Sequence, residues 1–132
     1  MPNAGCKREI LQSRHLPKPL YNYSQMVRIG STYQLAGQIA LLDGKLIGGG
    51  VEAECEHILT AVAASLPDFG LTLEDMLAAT IYTTCLDKFA NINQAWERFF
   101  ATTTAPARTT VGVSSLPLAA ALMMEFRFCK YD

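Results

Sequence analysis

This chain lacks any stretch that reads as an export or membrane-spanning segment. Its longest apolar run, Leu116 to Met124, is interrupted by Pro117 and falls far short of the ~20 residues a spanning helix needs. Met1 to Cys6 holds no apolar run of the signal-peptide kind. Paired cysteines are missing as well: Cys6, Cys55, Cys85 and Cys129 lie far apart, with no CxxC spacing. These absences predict free thiols in a reducing cytoplasm and exclude a disulfide framework. His15 and His57 stand alone, without the spacing of zinc ligands, so no metal is expected. Neither sign of charge is in excess. Eleven basic against 12 acidic residues give a net charge of −1, which offers no electrostatic footprint for nucleic acid or an anionic membrane. Only 17% of residues are charged and 50% are apolar, against ~25% charged in an ordinary soluble domain. The imbalance points to a surface covered by another chain.

What is present predicts one domain over residues 1–132, since a chain of this size buries roughly two thirds of its unfolded surface without staples. Lys7 to Leu11 reads as a short strand. Thr32 to Leu42 reads as a longer one, with Tyr33, Leu35, Gly37, Ile39 and Leu41 on one face. Asp43-Gly44 is a hairpin signal between apolar runs, and Lys45 to Ile47 returns from it. Val51, Cys55, Ile58, Leu59, Val62 and Leu66 recur at helical spacing, predicting a helix over Val51 to Ser65 with Glu52, Glu54, Glu56 and His57 on its polar side. Met76 to Leu86 is rich in β-formers. Ile92, Trp96, Phe99 and Phe100 give a second helix over Phe89 to Phe100, which Pro106 prevents from continuing. Arg108 to Val113 and Ala119 to Cys129 complete the strands.

The last strand alternates: Ala120, Leu122, Met124, Phe126 and Phe128 on one face, Ala121, Met123, Glu125, Arg127 and Cys129 on the other. The order of elements predicts an α+β fold, a mainly antiparallel sheet with both helices on one face. The helix-free face would carry Met123 and meet a partner or a ligand.

Few residues carry chemistry. Gly48-x-Gly50-x-x-Ala53 imitates a dinucleotide fingerprint, but it follows a hairpin strand and reads as a turn. Thr72-Leu73-Glu74-Asp75 reads as a capped helical turn, Thr102-Thr103-Thr104 as a polar loop, and His57 as a solvated residue. Cys85 and Cys129 sit in apolar strands and behave as small hydrophobes. Arg108, in Pro106-Ala107-Arg108-Thr109-Thr110-Val111, has three options: solvation, pairing with a carboxylate such as Glu125, or a bidentate clamp on a ligand carboxylate.

From Tyr23 onward the chain resembles the RidA (YjgF) family of imine and enamine deaminases. The resemblance is carried by Tyr23-Ser24-Gln25, Leu35-Ala36-Gly37-Gln38-Ile39, Gly70 with Leu73-Glu74-Asp75-Met76, and Thr80-Ile81-Tyr82. It continues through Phe89, Asn91, Asn93, Phe99-Phe100, Pro106-Ala107-Arg108-Thr109-Thr110-Val111-Gly112-Val113, Leu116-Pro117 and Glu125. It implies a chorismate-mutase-like fold and a homotrimer whose sheets form a central barrel with clefts between subunits. It also implies hydrolysis of 2-imino acids to 2-oxo acids and ammonia without a cofactor. By position, Arg108 would hold the substrate carboxylate with a backbone N–H near Thr110 assisting. Tyr23 would line the cleft and order a water, Ala36 and Gly37 would form its floor, and Asn93 would line it.

The resemblance also marks departures. The last strand of the active deaminases has two glutamates, the first orienting the attacking water; here the pair is Met123 and Glu125. Glu125 lies two residues on, roughly 6.6 Å by strand rise, and a thioether neither takes a proton nor holds water strongly. Tyr21-Asn22 replaces a Gly-Pro or Ala-Pro, and Ala36 stands where serine is also common. The expectation is therefore a cytoplasmic homotrimer that binds a small carboxylic or 2-imino acid, with weak deaminase activity or none. Met123 and Tyr21 would offer apolar contact to a larger acid.

Overall fold

The structure, a computed structural model, describes residues 7–131; Met1 to Cys6, including the predicted free thiol of Cys6, and Asp132 lie outside the described residues. Strands β1 (Glu9–Leu11), β2 (Met26–Ile29) and β3 (Thr32–Leu35) are followed by the small hairpin β4 (Leu41–Leu42) and β5 (Lys45–Leu46). Then come helix α1 (Gly50–Ser65), β6 (Met76–Thr83), helix α2 (Phe89–Phe99), β7 (Ala107–Gly112) and β8 (Leu122–Cys129). Six strands form one sheet in the order β1-β2-β3-β8-β6-β7. Every pairing is antiparallel except β6 with β7, which run parallel. That parallel pair needs a crossover, and α2 supplies it. Both helices pack on one face, so the fold is α+β as the order of elements predicts.

The alternation read in the last strand positions the core. Leu122, Met124, Phe126 and Phe128 are fully buried beneath the helices, each side chain contributing about 1.5–3 kcal/mol on removal from water. Val51, Cys55, Ile58, Leu59 and Val62 of α1 and Ile92, Ala95 and Trp96 of α2 meet them. Asp43 and Gly44, at φ 53° and 79°, form the turn between β4 and β5, the left-handed pair that two-residue hairpins favour. Asp75 Oδ2 accepts the Thr72 backbone N–H at 2.8 Å and its hydroxyl at 3.2 Å, the capped turn before β6.

Five readings need correction. The strand expected over Thr32 to Leu42 ends at Leu35. Beyond it the Gln38 side chain donates to the Ala36 carbonyl (2.9 Å) while the Gln38 backbone bridges Met124, and such local bonds compete with a ladder. Gly37 is therefore exposed rather than on the buried face of Tyr33 and Leu35. The sheet also gains β2, a short strand joined to β3 through Gly30-Ser31. The last strand starts at Leu122, because Pro117–Ala119 forms a turn in which Leu118 and Ala119 have positive φ. Cys85 lies just past β6, half-buried.

The fifth correction concerns α1. Glu54 is buried, not on the polar side. It lies three residues after Val51 and four before Ile58, within the apolar stripe, and its Oε1 accepts the Ala121 N–H at 3.1 Å just ahead of β8. Burial pushes its carboxyl above the ordinary value, partly offset by the backbone donors of Ala121 and Leu122. His57 is half-buried too, its Nε2–H donating to the Leu41 carbonyl (3.0 Å). The solvated side of α1 is held by Glu52, which accepts from Asn91 (3.2 Å) and pairs with Arg98 (2.9 Å).

Candidate functional site

The parallel β6–α2–β7 crossover sets the surroundings of Arg108. β7 is an edge strand, and Arg108 stands opposite Ala79, a buried residue on the helix-covered face. On α2, Phe89, Asn93 and Trp96 fall at i, i+4 and i+7, one stripe of the helix. All three reach the guanidinium. Its Nη2 donates to Asn93 Oδ1 at 2.7 Å, and its central carbon lies 5.5 Å from the Phe89 ring centroid and 5.2 Å from that of Trp96. Such ring faces attract a cation without neutralising it. Among the described residues, no carboxylate pairs with Arg108; Arg98, by contrast, pairs with Glu52 and Glu56. A guanidinium has five N–H donors, so one bond to a neutral amide leaves most of the fork open. Thr110, two residues along on the same face of β7, has a buried hydroxyl with no hydrogen-bond partner among the described residues.

Glu125 is not the partner of Arg108. It stands opposite Thr80, on the other face of the sheet, where its Oε1 accepts the Tyr82 hydroxyl at 2.8 Å. That bond raises the Tyr82 phenol above its ordinary pKa. Tyr82 thus belongs to the site's surroundings although it carried no role in the sequence.

The remaining candidates gather elsewhere. Tyr23, Ala36, Gly37 and Met123 line a cavity of about 650 Å³ on the helix-free side, together with Leu20, Tyr21 and Leu118. Met123 faces the cavity from β8 opposite Tyr82, and its thioether lies against Gly37: a Cβ at Gly37 would stand 2.8 Å from Met123 Sδ. Tyr23 and Tyr21 are exposed at its mouth, and the Tyr23 N–H donates to the Tyr21 carbonyl (2.9 Å). Two clusters result: Arg108, Asn93 and Thr110 at the β7 edge, and Tyr23, Ala36, Gly37 and Met123 around the cavity. Within one chain they lie on opposite faces of the sheet and do not meet. The α2 stripe was the sequence signal for Phe89 and Trp96 beside Arg108; no comparable signal announces Leu118 or Leu20.

Other chemistry has little footing. Burial pushes the Cys55 thiol up to about 12, far from a thiolate nucleophile at neutral pH. Among the described residues, no three His, Cys, Asp or Glu side chains converge to hold a metal, and no helix is long and apolar enough to cross a membrane.

The family model described as Endoribonuclease L-PSP matches residues 13–127. A RutC family protein of Aquifex aeolicus is 38% identical over 112 residues, spanning 83% of this chain and 89% of the relative. A 2-iminobutanoate/2-iminopropanoate deaminase of Dermatophagoides farinae is 30% identical over 120 residues, spanning 89% of this chain and 93% of the relative. Among solved structures, E. coli TdcF with bound serine superposes with a TM-score of 0.85 at 28% identity, covering 92% of this chain and 98% of that one.

Proposed function

The chain belongs to the RidA (YjgF) family, and from that premise we propose that it hydrolyses reactive 2-imino or enamino acids, weakly, in clefts completed by a neighbouring subunit. In this reading the protein is a homotrimer. Arg108 of one protomer faces the cavity of the next, which reconciles two clusters that one chain keeps on opposite faces of its sheet. The exposed apolar side chains Ile10, Ile29 and Val111 on the helix-free face support burial against another copy.

The chemistry follows from the placement. The open fork of Arg108 grips the carboxylate, assisted by a backbone N–H near Thr110, and holds C2 toward the cavity. A water ordered by the Tyr23 hydroxyl adds to C2, with its oxygen bonding to carbon and a proton passing to nitrogen. The hydroxyl proton of the resulting carbinolamine then passes to nitrogen as its C–N bond breaks, which gives the 2-oxo acid and ammonia. No cofactor is required. Among the described residues no carboxylate lines the cavity at Met123 and Gly37, which limits the rate, because general acid–base assistance contributes typically 10²–10⁴-fold. The deaminase relative and the serine bound in TdcF support a small amino-acid-like substrate. The near-balance of 11 basic and 12 acidic residues favours such an acid over RNA, and free thiols at Cys55, Cys85 and Cys129 fit a reducing cytoplasm.

The observation that carries the proposal is a guanidinium that, among the described residues, is held by an amide and two ring faces with no carboxylate partner. Its test is ammonia release from freshly generated 2-iminobutanoate. Arg108→Ala is expected to lower kcat/KM by about 30-fold or more, since hydrogen bonds to charged groups are worth ~1.5–3 kcal/mol each; unchanged turnover would overturn the mechanism. The second reading, a non-catalytic carboxylate-binding or regulatory trimer, draws on Met123. It is favoured if the parent is inactive and Met123→Glu creates activity.

A further inference from the structure

We infer that the cavity above Gly37 receives the substrate's side chain and selects acids whose side chain is bulky and apolar over those with one or two side-chain carbons. The inference rests on the carboxylate clamp proposed for Arg108 and adds the class of substrate.

Its first support is size. At about 650 Å³ the cavity lies within the ~300–1,000 Å³ range of sites for drug-sized ligands, several times what a methyl or ethyl group fills. Wall chemistry points the same way. Leu20, Tyr21, Ile39, Leu118 and Met123 present apolar surface. Two of the polar groups on the lining are already engaged: the Gln25 amide donates to the Ser13, Leu16 and Pro17 carbonyls, and the Gln38 amide donates to that of Ala36. Lys18, Ser24 and the hydroxyls of Tyr21 and Tyr23 are the other polar groups of the lining; with both amides engaged, most of the wall offers a hydrocarbon side chain apolar contact.

Two local features fit a wall built for contact. Met123 is unbranched and polarisable, able to reshape around an aromatic or branched guest, and its Sδ bounds the cavity directly over Gly37. Leu118 and Ala119 both adopt positive φ, 56° and 58°, a conformation that residues with a Cβ disfavour. Strain of this kind concentrates where a structure positions a ligand contact. Here it holds Leu118 at the cavity wall, 58% exposed, an apolar side chain in water until something covers it.

The test measures binding of pyruvate, 4-methyl-2-oxopentanoate and phenylpyruvate to the assembled protein by titration calorimetry, in wild type, Met123→Gln and Arg108→Ala. Burial of each methylene is worth about a fourfold change in affinity, so the two larger acids are expected to bind wild type at least ~10-fold more tightly than pyruvate. Met123→Gln, similar in length but polar, is expected to compress that ratio while the thermal midpoint holds. Arg108-dependent binding with no preference for the larger acids would overturn the inference and leave the clamp standing. A preference for the larger acids that survives Arg108→Ala unweakened would overturn the clamp and leave the cavity's selectivity standing. Failure of all three acids to bind wild type would overturn both.

Discussion

At the β7 edge, Arg108 is gripped by Asn93 at 2.7 Å and stacked beside Phe89 and Trp96, while across the sheet Met123 rests a flexible thioether on a glycine at the wall of an open cavity. The first region is a fixed cation supported by neighbours on a packed helix; the second is an adaptable apolar wall. In the proposed reading the carboxylate-recognising group is the one held by several neighbours, because a bidentate fork works only when held in place. Geometry that must accommodate a side chain is soft. Under the proposed function, the contrast is that of a retained clamp beside an acid–base position that has become a methionine, and that reading expects binding to be more robust than catalysis.

The comparison can be pressed from three sides. The largest effect is expected at the rigid edge. Asn93→Ala removes the hydrogen bond from Arg108 Nη2 to Asn93 Oδ1, and carboxylate affinity should fall about 5- to 10-fold, the ~1 kcal/mol of a single neutral-acceptor bond. Isothermal titration with 2-oxo acids checks it, and an unchanged affinity would mean that the rings alone position the guanidinium.

The next effect concerns the link between α1 and the cavity. Glu54 holds the Ala121 N–H just before β8, at the root of the Leu118 turn. Burial raises its pKa in the folded state above the ordinary 4.5. A raised folded pKa means stability that is fully present below the unfolded pKa and lost as pH rises through the folded one. Glu54→Gln keeps the acceptor without burying a charge, so its Tm relative to wild type is expected to rise by a few degrees between pH 4 and pH 7. Glu52 has the opposite sign: bonds from Asn91 and Arg98 lower its pKa, so its contribution is present above the unfolded pKa and lost as pH falls through the folded one. A pH-independent difference between Glu54→Gln and wild type in thermal melts would contradict the assignment.

The smallest effect belongs to the soft wall. Gly37→Ala places a Cβ 2.8 Å from Met123 Sδ, but Gly37 is not among the residues with positive φ and the thioether can swing aside. Stability is expected to fall by less than ~1 kcal/mol in chemical denaturation, since a flexible side chain relieves the overpacking. A larger loss would show that Met123 is as fixed as Arg108.

Long periodic segments were legible in the residues themselves. Both helices and β8 follow from apolar spacing, and the Asp43-Gly44 hairpin from its turn chemistry. β2 escaped because four residues containing Arg28 give too little alternation to register. Glu54 was misplaced because polarity was weighed above its position on the helix stripe. The strand through Gly37 was drawn too long because the side-chain bond of Gln38 that diverts it is invisible to a count of apolar residues. The candidate site was legible in a different way. Composition left Arg108 among solvation, an ion pair and a clamp; the resemblance named its role and the cavity residues. Only register separates Arg108 from Glu125, since which face of β7 carries Arg108 depends on its pairing with β6.

The central claim is that the guanidinium of one subunit serves the cavity of another, and subunit mixing tests it most directly. Arg108→Ala and Gly37→Trp, the second filling the cavity, should each fail to bind 2-oxo acids alone. Co-refolded in equal amounts, random trimers would rebuild about a quarter of the sites from one intact Arg108 and one intact cavity, and calorimetry should recover binding to that fraction. No recovery in mixed oligomers, with each variant folded and assembled, would place both halves of the site in a single chain and contradict the account.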